Sequence, residues 1–196
     1  MKPSDLVETL APVARTLDSL GVRYFVGGSL ASSARGIARA SLDVDLVADL
    51  RMEHVQDFAA RLRPAYYFSE EAIRDAIAKR TSFNVVHLET MMKVDVFVSR
   101  GRPWDAEALA RARNESLDEG EEAIRFPIAS AEDVVLAKLE WYRLGGEHSE
   151  RQWSDVLGVL RTSAGMMDRP YIVRHAETLG VLDLLEKALD EAQPPL

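Results

Sequence analysis

Strand-like patterns occur only in the first two thirds of this sequence, and every apolar pattern after residue 128 is helical. Short runs of β-branched and aromatic residues predict strands at 22–26, 41–47, 66–68, 83–88, 93–98 and 124–128. Helical apolar spacing separates them and then predicts C-terminal helices up to 144 and over 149–160, 170–179 and 181–192. We therefore predict an α/β (α+β) fold, with a core of residues 1–128 and a helical C-terminal subdomain of residues 129–196.

Composition narrows the class of protein. Apolar residues make up 47% of the chain, which is enough to build a core, and the longest apolar runs fall far short of a membrane helix. The chain has no cysteine, which excludes disulfides, thiolate zinc sites and a cysteine nucleophile and agrees with a cytoplasmic location. A net charge of −8 disfavours tight non-specific binding to nucleic acid.

An Asp-x-Asp pair lies in the second predicted strand, at Asp43 and Asp45. Because strand side chains alternate between two faces, these carboxylates point the same way, roughly 7 Å apart along the strand. Their neighbours Leu42, Val44 and Leu46 then point to the opposite, apolar face. Carboxylates held side by side repel one another unless a cation lies between them. Hard oxygen ligands suit Mg²⁺ or Mn²⁺, so the pattern predicts a site for one of these metals.

A third acid, Asp95, is flanked by valines in the strand predicted at 93–98. If this strand lies beside the one that carries Asp43 and Asp45, Asp95 completes a set of three carboxylates. Such a set can hold two metal ions about 3.5–4 Å apart. One ion would activate an attacking hydroxyl, and the other would bind a triphosphate and stabilise the departing pyrophosphate.

A Gly-Gly-Ser turn joins the first strand to a helix predicted over 30–37. Gly28 allows the backbone to approach phosphate oxygens closely, and the N–H groups at a helix N-terminus favour an anion. Ser29 adds a hydroxyl donor. Arg35 and Arg39 lie nearby, and they either neutralise a triphosphate or are exposed cations at the end of the helix.

The order of these motifs resembles the DNA polymerase β-type nucleotidyltransferase superfamily, over about residues 22–98. The stretch from Gly27 to Leu46 is similar to the AbiEii and MenT group of bacterial nucleotidyltransferases, known from toxin–antitoxin and phage-defence systems. The C-terminal part is similar to the same group, in which a lysine-bearing helix precedes a helix with an Arg-x-x-x-Asp element. Here the lysine is Lys138, and the element runs from Arg151 to Asp155.

The resemblance implies a mixed β-sheet flanked by helices and assigns roles to individual residues. Asp43, Asp45 and Asp95 would be metal ligands, with Asp95 the candidate general base. The implied nucleotide-binding residues are Gly28, Ser29, Arg39, Lys138 and Asp155. Among these, Lys138 would reach the triphosphate, and Asp155 would orient Lys138 or Arg151.

The sequence therefore predicts a Mg²⁺-dependent (or Mn²⁺-dependent) nucleotidyltransferase of the EC 2.7.7 type. It would move a nucleoside monophosphate from an NTP such as ATP to a hydroxyl on an RNA 3′ end, a protein or a small molecule. A toxin–antitoxin or defence role and a partner protein agree with the resemblance. Two alternatives stay open: a catalytically inactive, antitoxin-like protein that binds a nucleotide or partner, and a metal-dependent hydrolase. Each of the three aspartates alone could also be a solvated strand residue.

Overall fold

The structure, a computed structural model, describes residues 3–35, 43–117, 124–163 and 165–192. Its seven strands are β1 Tyr24–Val26, β2 Asp43–Ala48, β3 Tyr66–Tyr67, β4 Ser82–His87, β5 Lys93–Val98, β6 Arg113–Ser116 and β7 Arg125–Ile128. The α-helices of the described residues are α1 Pro3–Ser19, α2 Gly28–Arg35, α3 Val55–Leu62, α4 Glu70–Lys79, α5 Pro103–Arg111, α6 Ala131–Leu144, α7 Glu150–Ser163, α8 Arg169–Leu179 and α9 Leu182–Ala192.

These elements form two compact units. The first comprises Met1–Gly27 and Ala40–Ile128, and the second comprises Gly28–Arg39 and Ala129–Leu196. The short helix α2 therefore groups with the helices that follow residue 128, because it packs against α6 and α7.

The first unit is built on one mixed sheet with the strand order β3-β4-β5-β2-β1-β7-β6. Strand β2 pairs parallel with β5 and antiparallel with β1, and β1 pairs parallel with β7. The remaining neighbours, β3 with β4, β4 with β5 and β6 with β7, are antiparallel. The α/β prediction with a mixed sheet, flanking helices and a helical C-terminal region is thus confirmed.

The central strands β2 and β5 have one apolar face and one mainly polar face, on which Val47 and Phe97 lie beside the charged residues. Val44 and Leu46 of β2 and Val94 and Val96 of β5 are fully buried. Their alternate neighbours are partly or fully exposed. Burying four aliphatic side chains contributes about 1.5–3 kcal/mol each. This burial fixes the register, because a shift of one residue would turn the apolar side chains to water.

Local sequence explains where several helices begin and end. Helix α4 begins after Ser69, whose side chain accepts from the amide of Ala72, and ends at Arg80 in a left-handed conformation. Helix α6 begins after Ser130, whose hydroxyl accepts from the amide of Asp133. Such caps satisfy amides that a helix start leaves without an internal partner.

Two features of the fold differ from the sequence predictions or go beyond them. Strand β6 was not predicted, because Arg113–Ser116 contains no apolar residue and pairs only with β7 at the edge of the sheet. The predicted strand at 41–47 begins in the described structure at Asp43, since residues 36–42 lie outside the described part. No helix within the described residues is both long enough and apolar enough to cross a bilayer.

Candidate functional site

Asp45 and Asp95 lie side by side on the polar face of the sheet. Strands β2 and β5 run parallel, and Asp45 is the register partner of Asp95. The strand that carries Asp95 is therefore a neighbour of the Asp-x-Asp strand, as the predicted set of three carboxylates requires. Both side chains are partly exposed, whereas Asp43, at the start of β2, is exposed. The sheet thus places three carboxylates on one face of two adjacent strands.

A lysine that sequence reasoning missed lies among these carboxylates. Lys93 is the register partner of Asp43, and its Nζ lies 2.8 Å from Oδ2 of Asp95 and 3.9 Å from Oδ1 of Asp43. The hydrogen bond to Asp95 raises the pKa of Lys93, and the charges of Asp95, Asp43 and Asp45 raise it further, against a lowering by burial. The signal was available in the Lys93-Val94-Asp95 spacing, which puts both charged side chains on one strand face.

The polar face continues onto the neighbouring strands. Asn84 of β4 is the register partner of Asp95 and is exposed. On the other side, the amide of Gly27 donates to the carbonyl of Asp45 at 2.9 Å, which extends the pairing of β1 with β2 by one residue. An amide oxygen and two carboxylates therefore follow one another across β4, β5 and β2. Asn84 is a second polar residue of this face that sequence reasoning did not single out.

The donor set on this face fits a hard divalent cation. Within the described residues, no three His, Asp or Glu side chains are arranged to enclose a metal ion as they stand. Mg²⁺, however, is usually held by one or two carboxylates together with waters and substrate phosphates. The Lys93 ammonium contacts two of the carboxylates, which shows that their field attracts a cation. Asp45 and Asp95 supply the oxygen chemistry that such an ion requires.

In the second unit, the start of α2 is held against α7. Gly28 is the first residue of α2 and has a φ of 54°, a conformation that glycine adopts without the strain of a side chain. Ser29 follows it, and the Arg151 guanidinium donates to the Ser29 hydroxyl at 3.3 Å. At the other end of α2, the hydroxyl of Thr162 donates to the carbonyl of Arg35. Both contacts fix α2 on the surface of α7.

The predicted lysine and aspartate of the helical region form an ion pair. Nζ of Lys138 on α6 lies 2.8 Å from Oδ2 of Asp155 on α7, and the two side chains are only 11% and 16% exposed. Arg151 lies four residues before Asp155, on the same face of α7. Since α2, α6 and α7 pack on one another, the unit gathers a hydroxyl, a guanidinium and an ammonium on three neighbouring helices.

Of the two arginines that the sequence places near the glycine turn, the structure describes only Arg35. The Arg35 guanidinium donates through Nε to the carbonyl of Ala129 at 3.2 Å, so this side chain fastens α2 to the segment before α6. Arg39 lies outside the described residues. Each unit thus carries part of the predicted residue set: the carboxylates lie in the first, and the described anion-binding candidates lie in the second.

No family model matches the sequence, and a search of curated proteins gives no match. Solved structures do share its fold. The antibiotic-resistance factor ANT(2'')-Ia in solution is 15% identical, with a TM-score of 0.52 over 97% of both chains. Its crystal structure with adenylyl-2''-tobramycin gives 13% identity and a TM-score of 0.53, covering 93% of this chain and 97% of the other.

A second protein has a similar fold. An antigenic nucleotidyltransferase-like protein from Paracoccidioides brasiliensis is 14% identical, with a TM-score of 0.53 over 95% of this chain and 93% of its own. Identities this low carry information about the fold and not about the substrate. The chain therefore has a nucleotidyltransferase-like fold along nearly its whole length.

Proposed function

We propose that this protein is a Mg²⁺-dependent nucleotidyltransferase that moves a nucleoside monophosphate from an NTP to a hydroxyl acceptor. The observation that carries the proposal is the pairing of Asp45 with Asp95 on the polar face of adjacent parallel strands. Together with Asp43, these carboxylates would hold Mg²⁺ or Mn²⁺. A nucleotidyltransferase-like fold supports the same assignment.

In the proposed reaction, the acceptor oxygen attacks the α-phosphorus of the NTP. The new oxygen–phosphorus bond forms as the bond to the β-phosphate bridging oxygen breaks, and pyrophosphate leaves with that electron pair. Asp95 accepts the proton of the acceptor hydroxyl. A metal held by Asp43, Asp45 and Asp95 would neutralise charge and lower the pKa of that hydroxyl. Asp43 and Asp45 would fix the position of that metal, and most of the rate gain would come from positioning and electrostatics.

The triphosphate-binding role belongs to residues of the second unit. Gly28 has no side chain of its own to keep a phosphate from its backbone, and the amide groups at the start of α2 favour an anion. Ser29 donates through its hydroxyl, and Lys138 and Arg39 supply positive charge. Asp155 acts on the reaction through Lys138, whose ammonium it holds at 2.8 Å.

The acceptor is a hydroxyl on an RNA 3′ end, a protein or a small molecule. A small-molecule acceptor is an analogy of fold alone, drawn from the structure of ANT(2'')-Ia with adenylyl-2''-tobramycin. The net charge of −8 opposes extended contact with an RNA backbone. Resemblance to the AbiEii and MenT group supports an RNA or protein acceptor and a toxin–antitoxin or defence setting.

One observation favours a second function, a protein of the same fold that binds a nucleotide or partner without turnover. Lys93 already neutralises part of the charge of Asp43 and Asp95, and an ammonium in this position could replace the metal permanently. Under this alternative, an antitoxin-like protein would use the fold for recognition alone. The two functions differ in whether the nucleoside monophosphate group is transferred from the NTP to an acceptor.

The proposal is tested by a transfer assay with each of the four α-labelled NTPs and Mg²⁺. Total tRNA, a protein lysate and an aminoglycoside serve in turn as acceptors. The wild type is compared with Asp43→Ala/Asp45→Ala and with Asp75→Asn. Asp75 is a suitable control because it is an exposed acid of α4 that pairs with Lys79 in the same unit.

Label transferred by the wild type and by Asp75→Asn, but not by the double variant, supports the proposal and identifies donor and acceptor. Nucleotide binding with no transfer to any acceptor supports the inactive alternative. For a toxin role, induced expression should arrest growth, and Asp45→Ala should remove the arrest. Harmless expression of an active enzyme would contradict that role.

A further inference from the structure

The Lys93 ammonium contacts Asp43 and Asp95 of the carboxylate cluster formed by Asp43, Asp45 and Asp95, and the charge of Asp45 also acts on it. It is placed there by the sheet itself, since it lies two residues before Asp95 on β5 and opposite Asp43 on β2. Its ammonium contacts the same carboxylate, Asp95, to which the proposed function assigns the acceptor proton. A lysine elsewhere on the strand would not contact this carboxylate.

The Lys93 ammonium and a divalent cation compete for the same oxygen of Asp95. A Mg²⁺ ligand oxygen lies about 2.0–2.1 Å from the metal. A metal ion bound to the Asp95 oxygen that lies 2.8 Å from Nζ would therefore be within a few ångströms of the positively charged ammonium. In a partly exposed site that repulsion amounts to several times the thermal energy. One cation has to move when the other binds.

Lys93 is able to move. Its side chain is 38% exposed, so its four-carbon stem has access to solvent. The carboxylates lie on the same paired central strands, but their side chains are shorter and have fewer rotatable bonds. Exchange of an ammonium for a metal therefore requires rotation of one flexible side chain and no change in the backbone.

We propose that Lys93 is an internal cation that occupies the carboxylate cluster of the metal-free protein and is displaced when the divalent metal binds. This inference rests on the proposed function, because it takes the carboxylates to be metal ligands. One consequence follows. Lys93 weakens binding of the metal, because the metal has to displace the ammonium that contacts Asp95 and Asp43. It is a positioning residue, not a catalytic one.

The first test is the dissociation constant of Mn²⁺, measured by electron paramagnetic resonance on the purified full chain without nucleotide. The proteins are the wild type, Lys93→Met, Lys79→Met and Asp45→Asn. Lys79 forms a comparable lysine–aspartate pair with Asp75 on α4, at 2.7 Å, so its replacement changes the net charge equally. The measurement reads metal affinity alone and does not depend on turnover.

We expect Lys93→Met to bind Mn²⁺ about five- to tenfold more tightly than the wild type, because it removes a partly exposed ion pair that competes with the metal. Lys79→Met should bind like the wild type, and Asp45→Asn should bind much more weakly. Unchanged or weaker binding by Lys93→Met, with Asp45-dependent binding intact, overturns the inference and leaves the proposed function standing. Absence of Asp45-dependent binding in every protein overturns both.

A second measurement does not require removal of Lys93. Reductive ¹³C-methylation of lysines keeps their positive charge, and the Lys93 signal is assigned by its loss in Lys93→Arg. On saturation with Mg²⁺, the Lys93 methyl signal should shift while the Lys79 signal stays in place. A Lys93 signal that does not shift while Mg²⁺ binds through Asp45 contradicts displacement.

Discussion

Asp45 and Asp95 are register partners on β2 and β5, two parallel strands whose opposite face is fully buried. This relationship is not adjustable, because a slip of one residue would bury the carboxylates and expose the valines and leucine. The apolar core therefore fixes the spacing of the acids. The Lys93 ammonium offsets the mutual repulsion of the two acids, because it contacts Asp95 and its charge acts on both.

The ion pair of Lys138 with Asp155 should be visible in the stability of the protein. Asp155 is of intermediate burial, so removing its partner should cost less than the roughly 3–5 kcal/mol of a fully buried pair. We expect Lys138→Met to lower the free energy of unfolding by about 1.5–3 kcal/mol, the worth of a hydrogen bond to a charged group. Lys138→Met/Asp155→Leu should recover most of it, since apolar replacement of both partners is often neutral. Urea denaturation followed by circular dichroism measures both.

The same double variant separates stability from substrate binding. If Lys138 contacts the triphosphate, Lys138→Met/Asp155→Leu remains stable but has a higher KM for the NTP. The kinetic control is Arg143→Met/Asp183→Leu, which removes an exposed ion pair between α6 and α9. A wild-type KM in the Lys138 double variant would show that the pair only joins α6 to α7.

Ser29 should contribute to affinity for the NTP. Its hydroxyl lies at the start of α2 beside Arg151, where it can donate to a phosphate oxygen. A hydrogen bond to a charged group is worth about 1.5–3 kcal/mol, so Ser29→Ala should raise the KM for the NTP at least about tenfold. Ser33→Ala, in the same helix, should not. Steady-state kinetics with a fixed acceptor would disprove the role if both variants matched the wild type.

The sequence predicted most of the elements because their signals are local. Strand β5, Lys93–Val98, alternates buried and partly exposed residues over its whole length, and α4 has a serine cap at its start. Strand β6 escaped prediction because Arg113–Ser116 is polar throughout, and its structure depends on pairing with β7. An edge strand of this kind has no burial pattern to read.

The candidate site was only partly predictable for the same reason. Alternation places Asp43 and Asp45 on one face, but the neighbour of β2 is set by the sheet order, which the sequence leaves open. The spacing of Lys93 from Asp95 is a local signal that the sequence analysis did not use, whereas its register opposite Asp43 is a non-local property. The pairing of Lys138 with Asp155 likewise depends on how α6 packs on α7, and only a resemblance suggested it.

Tyr66 provides a test of packing in the first unit that is independent of the site. Its hydroxyl donates to the carbonyl of Thr9 in α1 at 2.7 Å, and burial raises its pKa above the ordinary 10.0. Loss of this hydrogen bond should make Tyr66→Phe less stable by about 1 kcal/mol at neutral pH. Chemical denaturation at a series of pH values measures this difference.

The sign of its pH dependence follows from the raised pKa. The stabilising contribution of Tyr66 is complete below pH 10 and declines as the pH rises above it, because the unfolded tyrosine ionises there before the folded one. The stability difference between the wild type and Tyr66→Phe should therefore shrink above pH 10. Tyr67→Phe is the control, because Tyr67 follows Tyr66 in the same strand but is 73% exposed. A pH-independent difference would contradict the account.

The central claim is that Asp45 and Asp95 together hold the catalytic metal, and one measurement tests it directly. Once a donor and acceptor are known, the initial rate of label transfer is measured against Mg²⁺ concentration for the wild type, Asp45→Asn, Asp95→Asn and Asp75→Asn. Thermal unfolding confirms that each variant is folded. We predict that Asp75→Asn matches the wild type and that both site variants lose about 10²–10⁴-fold in rate. A folded Asp45→Asn or Asp95→Asn that transfers label at the wild-type rate would contradict the claim.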